Sequence, residues 1–279
     1  MSGSELYSID DLLHLMARLR EPGTGCPWDL AQTYHSIAPS TIEEAYEVVD
    51  AIEKSDFRHL REELGDLLLQ VIFYSQFGTE DGHFTFSEIV SELVEKLLRR
   101  HPHVFPEGTL ESRVTKAEQR DESAVKASWE KIKREEREDK GKIGVLDDVP
   151  LALPSLSRAL KLQKRAANVG FDWPVLDAVV AKLEEEVAEL KRAIAGDDSE
   201  AAAEELGDLL FAAVNLSRHL KLDPEAVLRA GNSKFERRFR FVESRVRELG
   251  MAIDAVSLEE LDRYWEQAKG EEKNNKSEA

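Results

Sequence analysis

Two segments of the chain carry the same five carboxylates at the same spacing, separated by a fixed offset of 142 residues. The first set is Glu43, Glu44, Glu47, Glu63 and Asp66, and the second set is Glu185, Glu186, Glu189, Glu205 and Asp208. Residues three or four apart are neighbours on one face of a helix, so each acidic group would share a helix face. The connection from Ile52 to Leu60 is short, which predicts an antiparallel helical hairpin with acids meeting across its groove.

Converging carboxylates need a compensating charge. Two like charges about 4 Å apart repel by roughly 4 kcal/mol at an effective dielectric near 20, whereas a whole domain is stable by only about 5–15 kcal/mol. Either the acids point into water, or some are protonated, or a cation neutralises them. An all-oxygen cluster suits Mg²⁺, with Mn²⁺ as a possible substitute, rather than zinc or copper. Because Mg²⁺ is usually shared with substrate phosphates, a polyphosphate is the ligand that this pattern indicates.

The acids could instead form a solvated helix face or a di-iron centre. For Ile42–Ile52 alone a solvated acidic face is favoured, since the apolar stripe lies opposite the glutamates. A solvated face is disfavoured for Glu63 and Asp66, because the helix beyond them, Leu67–Phe73, is apolar nearly all round. A di-iron bundle would need Glu-x-x-His on two helices, but the pairs here are Glu-x-x-Glu and Glu-x-x-Asp.

The elements that must position these acids are helices. Apolar residues recur at helical spacing from Leu60 to Tyr74, and the chain lacks a clear period-two alternation. The predicted fold class is therefore all-α, with two tandem homologous helical modules forming four-helix-bundle-like units. The predicted divisions are an N-terminal module at 1–117, a charged linker or helix at 118–150, a C-terminal module at 151–270 and a disordered tail at 271–279.

Charge and composition exclude several classes of partner. The net charge of −18 argues against coating a nucleic acid, because phosphate backbones require a basic footprint. The longest apolar run, around Leu67–Phe73, is too short to cross a bilayer, and no leader segment opens the chain, so no membrane partner is expected. The single cysteine, Cys26, fits a reducing compartment, which predicts a cytoplasmic location.

An ordered set of motifs extends over nearly the whole chain. It comprises CPWD at Cys26–Asp29, ELGDLL at Glu63–Leu68, RRHPHVF at Arg99–Phe105, NVGFDW at Asn168–Trp173, EELGDLLF at Glu204–Phe211 and KFERRF at Lys234–Phe239. Together these motifs resemble the MazG family of nucleoside triphosphate pyrophosphohydrolases, within the all-α NTP pyrophosphatases. The resemblance implies magnesium-dependent hydrolysis of broad NTP or dNTP substrates to monophosphate and pyrophosphate. It also implies a homodimer.

The resemblance assigns roles to residues of the C-terminal module. It makes Glu186, Glu189, Glu205 and Asp208 the metal ligands, with Glu185 as an additional ligand or water-orienting group. These five carboxylates are the predicted catalytic set, and the implied step is attack of a metal-activated water on the α-phosphorus. Lys234 and Arg238, four apart on one helix face, would bind phosphate, although a solvated basic face is the alternative.

Three further residues are candidates for substrate binding. Asn215 could contact the ligand or be a satisfied buried amide. Trp173 could stack on a base or belong to the core. The same two alternatives apply to Trp265 in the last helix. Phe73 stands in the first module where Asn215 stands in the second. The C-terminal site is therefore predicted to be the main catalyst.

The N-terminal module offers a second candidate site. Its own five acids, with Lys96 and Arg100 on the following helix, match the C-terminal set, but the site is predicted to be weak, differently specific or structural. The predicted function overall is housecleaning or regulation of nucleotide pools. The alternative is a non-enzymatic helical dimeriser that senses nucleotides at degenerate sites, against which the intact second motif argues.

Overall fold

A computed structural model describes residues 6–114, 121–139, 141–142 and 144–277, and gives the backbone alone for residues 126 and 273–277. Every regular element in these ranges is a helix, which confirms the all-α prediction. The chain divides into two compact units, Met1–Glu135 (unit 1) and Glu136–Ala279 (unit 2). The predicted module boundary at residues 117 and 118 lies outside the described ranges.

The first half of the chain contains the hairpin of the first acidic set. Its helices are α1 (Ile9–Leu19), α2 (Pro27–Ala31), α3 (Tyr34–Glu53), α4 (Phe57–Glu80), α5 (Phe86–Arg100) and α6 (Glu122–Asp139). Helix α3 begins at a reciprocal cap in which Thr33 and Ser36 each bind the backbone N–H of the other. Thr85 and Glu88 form the same kind of cap at α5, and such caps satisfy N–H groups that a helix start leaves unpaired.

The second half repeats the hairpin. Its helices are α7 (Ser155–Ala167), α8 (Leu176–Ala195), α9 (Ser199–His219), α10 (Pro224–Glu248) and α11 (Leu258–Ser277), with a short 3₁₀ helix at Ile253–Ala255. None of the helices in the described part of the chain combines the length and the apolar character needed to span a bilayer.

The two hairpins turn in the same way, which explains why the acids keep their spacing. Ser55 and Asp197, at corresponding positions between the paired helices, both have a left-handed backbone, with φ of 55° and 53°. The next residue in each turn then caps the second helix. Asp56 accepts from the His59 N–H at 3.0 Å, and Asp198 accepts from the Ala201 N–H at 3.0 Å. The hairpin predicted between Ile52 and Leu60 is confirmed.

Each unit buries its own apolar cluster. In unit 1, Met16 of α1 packs against Ile37 of α3 and against Ile72, Phe73 and Phe77 of α4. In unit 2, a cluster between α10 and α11 is formed by Val242, Val246, Val256 and Tyr264. The unit 2 cluster contains no residue of α8 or α9, so the groove of the second acidic hairpin lies outside it.

Helix α11 continues through residues 271–277, where the sequence predicts a disordered tail. The polar composition of this stretch favours disorder by itself, but a tertiary interaction holds its first turn. The Glu272 carboxylate accepts from the Arg237 Nε at 2.9 Å and from the Arg238 Nε at 2.9 Å. Both arginines lie on α10, so the last helix is fixed by charge-assisted hydrogen bonds that composition does not reveal.

Candidate metal and nucleotide site

Three carboxylates of unit 2 converge in the groove between α8 and α9. Glu186, Glu205 and Asp208 each offer one oxygen, and these oxygens lie within 4.8 Å of one another. Glu186 is only 5% exposed, whereas Asp208 is exposed. The antiparallel hairpin produces this meeting, because Glu186 lies on the first helix and the other two acids are three residues apart on the second.

A lysine supplies part of the positive charge that compensates these carboxylates. The Lys182 Nζ lies 2.9 Å from Glu186 Oε1 and 3.1 Å from Glu185 Oε1. Hydrogen bonds to these two carboxylates raise the pKa of Lys182 above its usual value, so it stays protonated. The positions i and i+4 on one helix bring lysine and Glu186 together.

The remaining negative charge is not balanced within the cluster. Burial raises the pKa of Glu205, and the neighbouring charges of Glu189, Glu186 and Asp208 raise it further. A divalent cation held by carboxylate oxygens would remove this repulsion. The donor set fits a hard cation, since every converging ligand atom is an oxygen.

Two other predicted ligands lie beside the converging group rather than in it. Glu189 is half-buried, acts electrostatically on Glu205 and lies 3.1 Å from the Arg192 guanidinium. Glu185 is exposed and contacts Lys182. The structure therefore brings three of the five predicted acids together and places the other two at the rim of the groove.

A pair of neighbouring cavities opens beside the acids. The first, of about 80 Å³, is bounded by Glu186, Asp208 and Lys182. The second, of about 240 Å³, has mainly apolar walls that include Leu146, Leu162 and Phe171, and we call it the apolar cavity. Four residues line both cavities and therefore join them: Gln163, Trp173, Phe211 and Asn215. The predicted substrate contacts Trp173 and Asn215 thus lie next to the acids.

A charged network fixes the segment that carries Trp173. The Arg218 guanidinium binds both carboxylate oxygens of Asp172, and the His219 Nε2 lies 3.1 Å from Asp172 Oδ1. Arg218 also donates from Nε to Asn215 Oδ1 at 2.9 Å. Hydrogen bonding from Arg218, together with that from His219, lowers the pKa of Asp172 to about 2 even though burial opposes this. The network ties the segment before α8 to α9.

This network predicts a specific acid sensitivity. The pKa of Asp172 is lower in the folded state than the usual 3.8, so its stabilising effect is complete above about pH 4 and is lost as the pH falls towards 2. We expect Asp172→Asn to lower the free energy of unfolding at pH 6, and the difference from wild type to vanish near pH 2. Urea titrations at several pH values measure this. Asp262→Asn, which removes an exposed carboxylate of α11, is the control; an equal pH-dependent difference in both variants would contradict the role of the network.

Lys234, Arg238 and Trp265 form a separate group on α10 and α11. The Arg238 guanidinium carbon lies 5.7 Å from the centre of the Trp265 ring, and that ring lies 5.3 Å from the Phe235 ring. Lys234 is exposed. The described residues that line the two cavities do not include these three side chains. Their assignment to substrate binding stays a prediction.

Unit 1 contains a corresponding acidic group. Glu44, Glu63 and Asp66 have oxygens within 4.8 Å of one another, and burial followed by neighbouring charges raises the pKa of Glu44. The Glu47 carboxylate contributes to the raised pKa of both glutamates of this group, and the His59 Nδ1 lies 3.0 Å from Glu63 Oε1.

The other predicted residues of this second site are not members of the converging group. Glu43 is exposed on α3. Lys96 and Arg100 are half-buried on α5, and Arg100 lines a cavity together with His101 and Trp129.

The space beside the unit 1 acids is filled by different side chains from those at the corresponding place in unit 2. Phe73, which corresponds to Asn215, is only 3% exposed. Its ring packs at 6.5 Å from Trp28 and at 5.1 Å from Phe77, centre to centre. An aromatic core therefore occupies the place where unit 2 has a polar amide beside a cavity.

Several residues of the unit 2 site were not predicted. Lys182 could have been found, because it lies four residues before Glu186 and helical i, i+4 pairs are readable from sequence. Arg218, His219 and Asp172 gave no local signal, since 46 residues separate the arginine from the aspartate. The sequence around Gln163 gave no local signal of its role either.

Comparison with known proteins identifies both hairpins. A family model described as the MazG nucleotide pyrophosphohydrolase domain matches residues 32–105 and 176–242. These two ranges contain the acids of unit 1 and of unit 2. The predicted internal duplication is therefore confirmed.

Curated relatives match over nearly the full length. A nucleoside triphosphate pyrophosphohydrolase of Escherichia coli K12 is 49% identical over 271 residues, covering 96% of this chain and 99% of the relative. The nucleoside triphosphate pyrophosphohydrolase/pyrophosphatase MazG of Thermotoga maritima is 41% identical over 262 residues, covering 94% and 96%. A nucleoside triphosphate pyrophosphohydrolase of Mycobacterium tuberculosis is 35% identical over 164 residues, covering 57% and 45%. With the motif matched twice and the first two relatives aligned from end to end, the chain belongs to the MazG nucleotide pyrophosphohydrolase family.

Proposed function

We propose that this protein hydrolyses nucleoside triphosphates to nucleoside monophosphate and pyrophosphate at the unit 2 site, with Mg²⁺ as cofactor. The observation that carries the proposal is that two of the three converging carboxylates, Glu186 and Asp208, line a small cavity which shares four lining residues with the larger apolar cavity. The names of the full-length relatives support the same reaction. A role in housecleaning or in regulating nucleotide pools would follow from broad substrate use.

Glu186, Glu205 and Asp208 would hold the cation, with Glu189 as a fourth ligand and Glu185 as a group that orients water. When bound, Mg²⁺ supplies Lewis-acid chemistry that offsets charge on the phosphate oxygens and makes a nearby water more acidic. The Lys182 ammonium, already at the same carboxylates, offers its charge to a phosphate oxygen.

The remaining substrate contacts divide between nucleoside and phosphates. Trp173 and Asn215 line the joined cavities and would contact the nucleoside. Lys234 and Arg238 would bind phosphate oxygens through their charge, and Trp265, close to Arg238, would contribute an aromatic surface. Unit 1, with an aromatic core in place of the cavity, would have a mainly structural role.

The position of bond cleavage tests the proposed reaction. With Mg²⁺ and a mixture of NTPs in ¹⁸O-labelled water, we expect pyrophosphate as product and the label in the monophosphate, because the attacked atom is the α-phosphorus. Mass spectrometry of both products measures this. Orthophosphate with diphosphate, or label in pyrophosphate, would exclude the proposed chemistry. Nucleotide binding without any turnover would favour a sensing module instead.

We further infer that the protein forms a homodimer. Leu206 and Leu210, four residues apart on α9, are exposed, and so are Leu64 and Leu68 at the corresponding positions of α4. A helical hairpin buries only one of its faces, so a second hairpin is the natural cover in a four-helix bundle. We expect sedimentation equilibrium to give twice the chain mass of 31.5 kDa. Leu210→Glu should shift the equilibrium towards the monomer, and a monomeric wild-type protein would refute the inference.

A further inference from the structure

Gln163 is a buried amide in the middle of α7, between the acids and the apolar cavity. Its side chain is 7% exposed, and its Nε2 donates to the Phe211 carbonyl oxygen at 2.8 Å. A carbonyl oxygen can only accept, so this bond fixes which end of the amide faces α9. The Gln163 Oε1 then points away from that bond, and it has no hydrogen-bond partner among the described residues.

A buried acceptor without a partner is unusual in a folded protein. Such groups are rare because each loses its hydration without a replacement, and a specific instance needs a physical reason. Gln163 lines both cavities that adjoin the acids. The side chain that carries the unpaired oxygen therefore lies beside a space that a ligand could enter, and a small rotation of the buried amide would bring the oxygen to that ligand.

The neighbours of Gln163 restrict what that ligand can be. The rings of Trp173 and Phe211 line the same two cavities, and aromatic rings favour a flat, apolar partner. Asn215 also lines them; its Oδ1 already accepts from the Arg218 Nε at 2.9 Å, whereas no hydrogen bond of its amide N–H groups is seen among the described residues. The wall thus combines aromatic surfaces with one free acceptor and one amide donor.

We propose that the Gln163 Oε1 accepts a hydrogen bond from an N–H group on the edge of the nucleobase, which makes Gln163 a specificity-determining residue. This inference rests on the proposed function, because it assumes that the joined cavities receive the nucleoside of a triphosphate bound at the acids. Nucleobases present flat faces and an edge with both N–H donors and acceptors. Enzymes that hold a single base read that edge by hydrogen bonds while aromatic side chains cover its faces.

Unit 1 supports the assignment by contrast. There the buried side chain that α1 turns towards α4 is Met16, and it packs against Phe73, which stands at the position of Asn215. The first hairpin therefore packs this region with apolar side chains where the second has two amides. A ligand that hydrogen-bonds to the amides would account for this difference.

The test compares ligands with and without a base. Gln163→Met keeps the size and flexibility of the side chain but removes the acceptor. Isothermal titration with Mg²⁺ should show the affinity for α,β-methylene-ATP falling by between about fivefold and 100-fold, the range expected when a buried donor loses its acceptor. The affinity for inorganic tripolyphosphate, which has no base, should change by less than about twofold. Gln267→Met, at an exposed position of α11, is the matched control.

Thermal unfolding separates a binding role from a structural one. Gln163→Met removes the hydrogen bond from Nε2 to the Phe211 carbonyl oxygen, but it also removes the unpaired buried oxygen, so any fall in Tm should be small. A lower Tm with equal losses for both ligands would overturn the inference, and so would unchanged affinity for the nucleotide. Failure of wild-type protein to bind either ligand or to hydrolyse NTPs would instead refute the proposed function.

A second set of ligands identifies the donor group. The α,β-methylene forms of ATP and CTP carry an exocyclic amino group on the Watson–Crick edge, and those of ITP and UTP carry a ring N–H beside a carbonyl and no amino group. A larger loss in Gln163→Met for the first pair assigns the contact to the amino group. A larger loss for the second pair assigns it to the ring N–H.

Discussion

Glu186→Gln should lower kcat/KM for nucleoside triphosphates by at least about 100-fold, the scale on which loss of a charge that stabilises a phosphoryl transition state acts. Glu186 is almost fully buried, meets Glu205 and Asp208, and is the acid that Lys182 contacts most closely. Glutamine keeps the shape of the side chain but removes the negative charge that would hold the cation. Steady-state release of pyrophosphate at saturating Mg²⁺ measures the effect.

Glu44→Gln is the matched variant, because Glu44 occupies the corresponding position in the unit 1 cluster. If unit 2 is the main catalyst, this change should reduce activity by less than about tenfold, since the remaining catalytic charges are untouched. Circular dichroism and Tm verify that both variants fold. Full activity in Glu186→Gln together with a large loss in Glu44→Gln would move the chemistry to unit 1.

Phe73→Ala should lower the free energy of unfolding by about 3–5 kcal/mol, as large-to-small changes of a buried phenylalanine do. Phe73 is enclosed by Trp28 and Phe77 and contributes to the core that α1, α3 and α4 share. Urea unfolding followed by far-UV circular dichroism measures the loss. Pyrophosphate release by the folded variant should stay close to wild type, because Phe73 lies in the unit that is not proposed to catalyse.

Phe57→Ala provides the control on the same helix. Phe57 is 77% exposed, so its removal should change the free energy of unfolding by no more than about 0.5 kcal/mol. Equal losses for Phe57 and Phe73 would contradict the enclosed position of the latter. Unchanged stability combined with lost hydrolysis in Phe73→Ala would show that this ring serves the ligand rather than the core.

The parts of the fold that sequence predicts are those set by local rules. Helical spacing predicted the hairpins, and the acidic groups Glu186 and Glu205–Asp208 meet because the connection between their helices is short. Asp223 followed by Pro224 is a local signal of this kind, a capping residue before a proline, and α10 begins there with the Asp223 carboxylate accepting from the Ala226 N–H at 2.9 Å. Such features depend on neighbours within one turn of helix.

The parts that sequence does not predict depend on partners far along the chain. Gln163 lies between Leu162 and Lys164 in an amphipathic helix, and nothing local indicates that it contacts Phe211, 48 positions away. The helical conformation of residues 271–277 similarly depends on Glu272 binding arginines of α10. Lys234 and Arg238 show the same limit in another way. Their charge is evident from the sequence, but their position on a helix does not reveal which catalytic groups they contact.

The difference between Asn215 and Phe73 has a consequence for the lifetime of the protein. Beside its acids, unit 1 is filled by aromatic rings around Phe73, whereas at the corresponding place unit 2 leaves a cavity and an unpaired amide oxygen. A bound nucleotide would fill this cavity in the way that the aromatic rings fill the corresponding space in unit 1. Ligands that bind only the folded state stabilise that state by mass action. The second half of the chain would then be most resistant to proteolysis when triphosphates are abundant. The amount of intact enzyme would therefore rise with the concentration of its substrates.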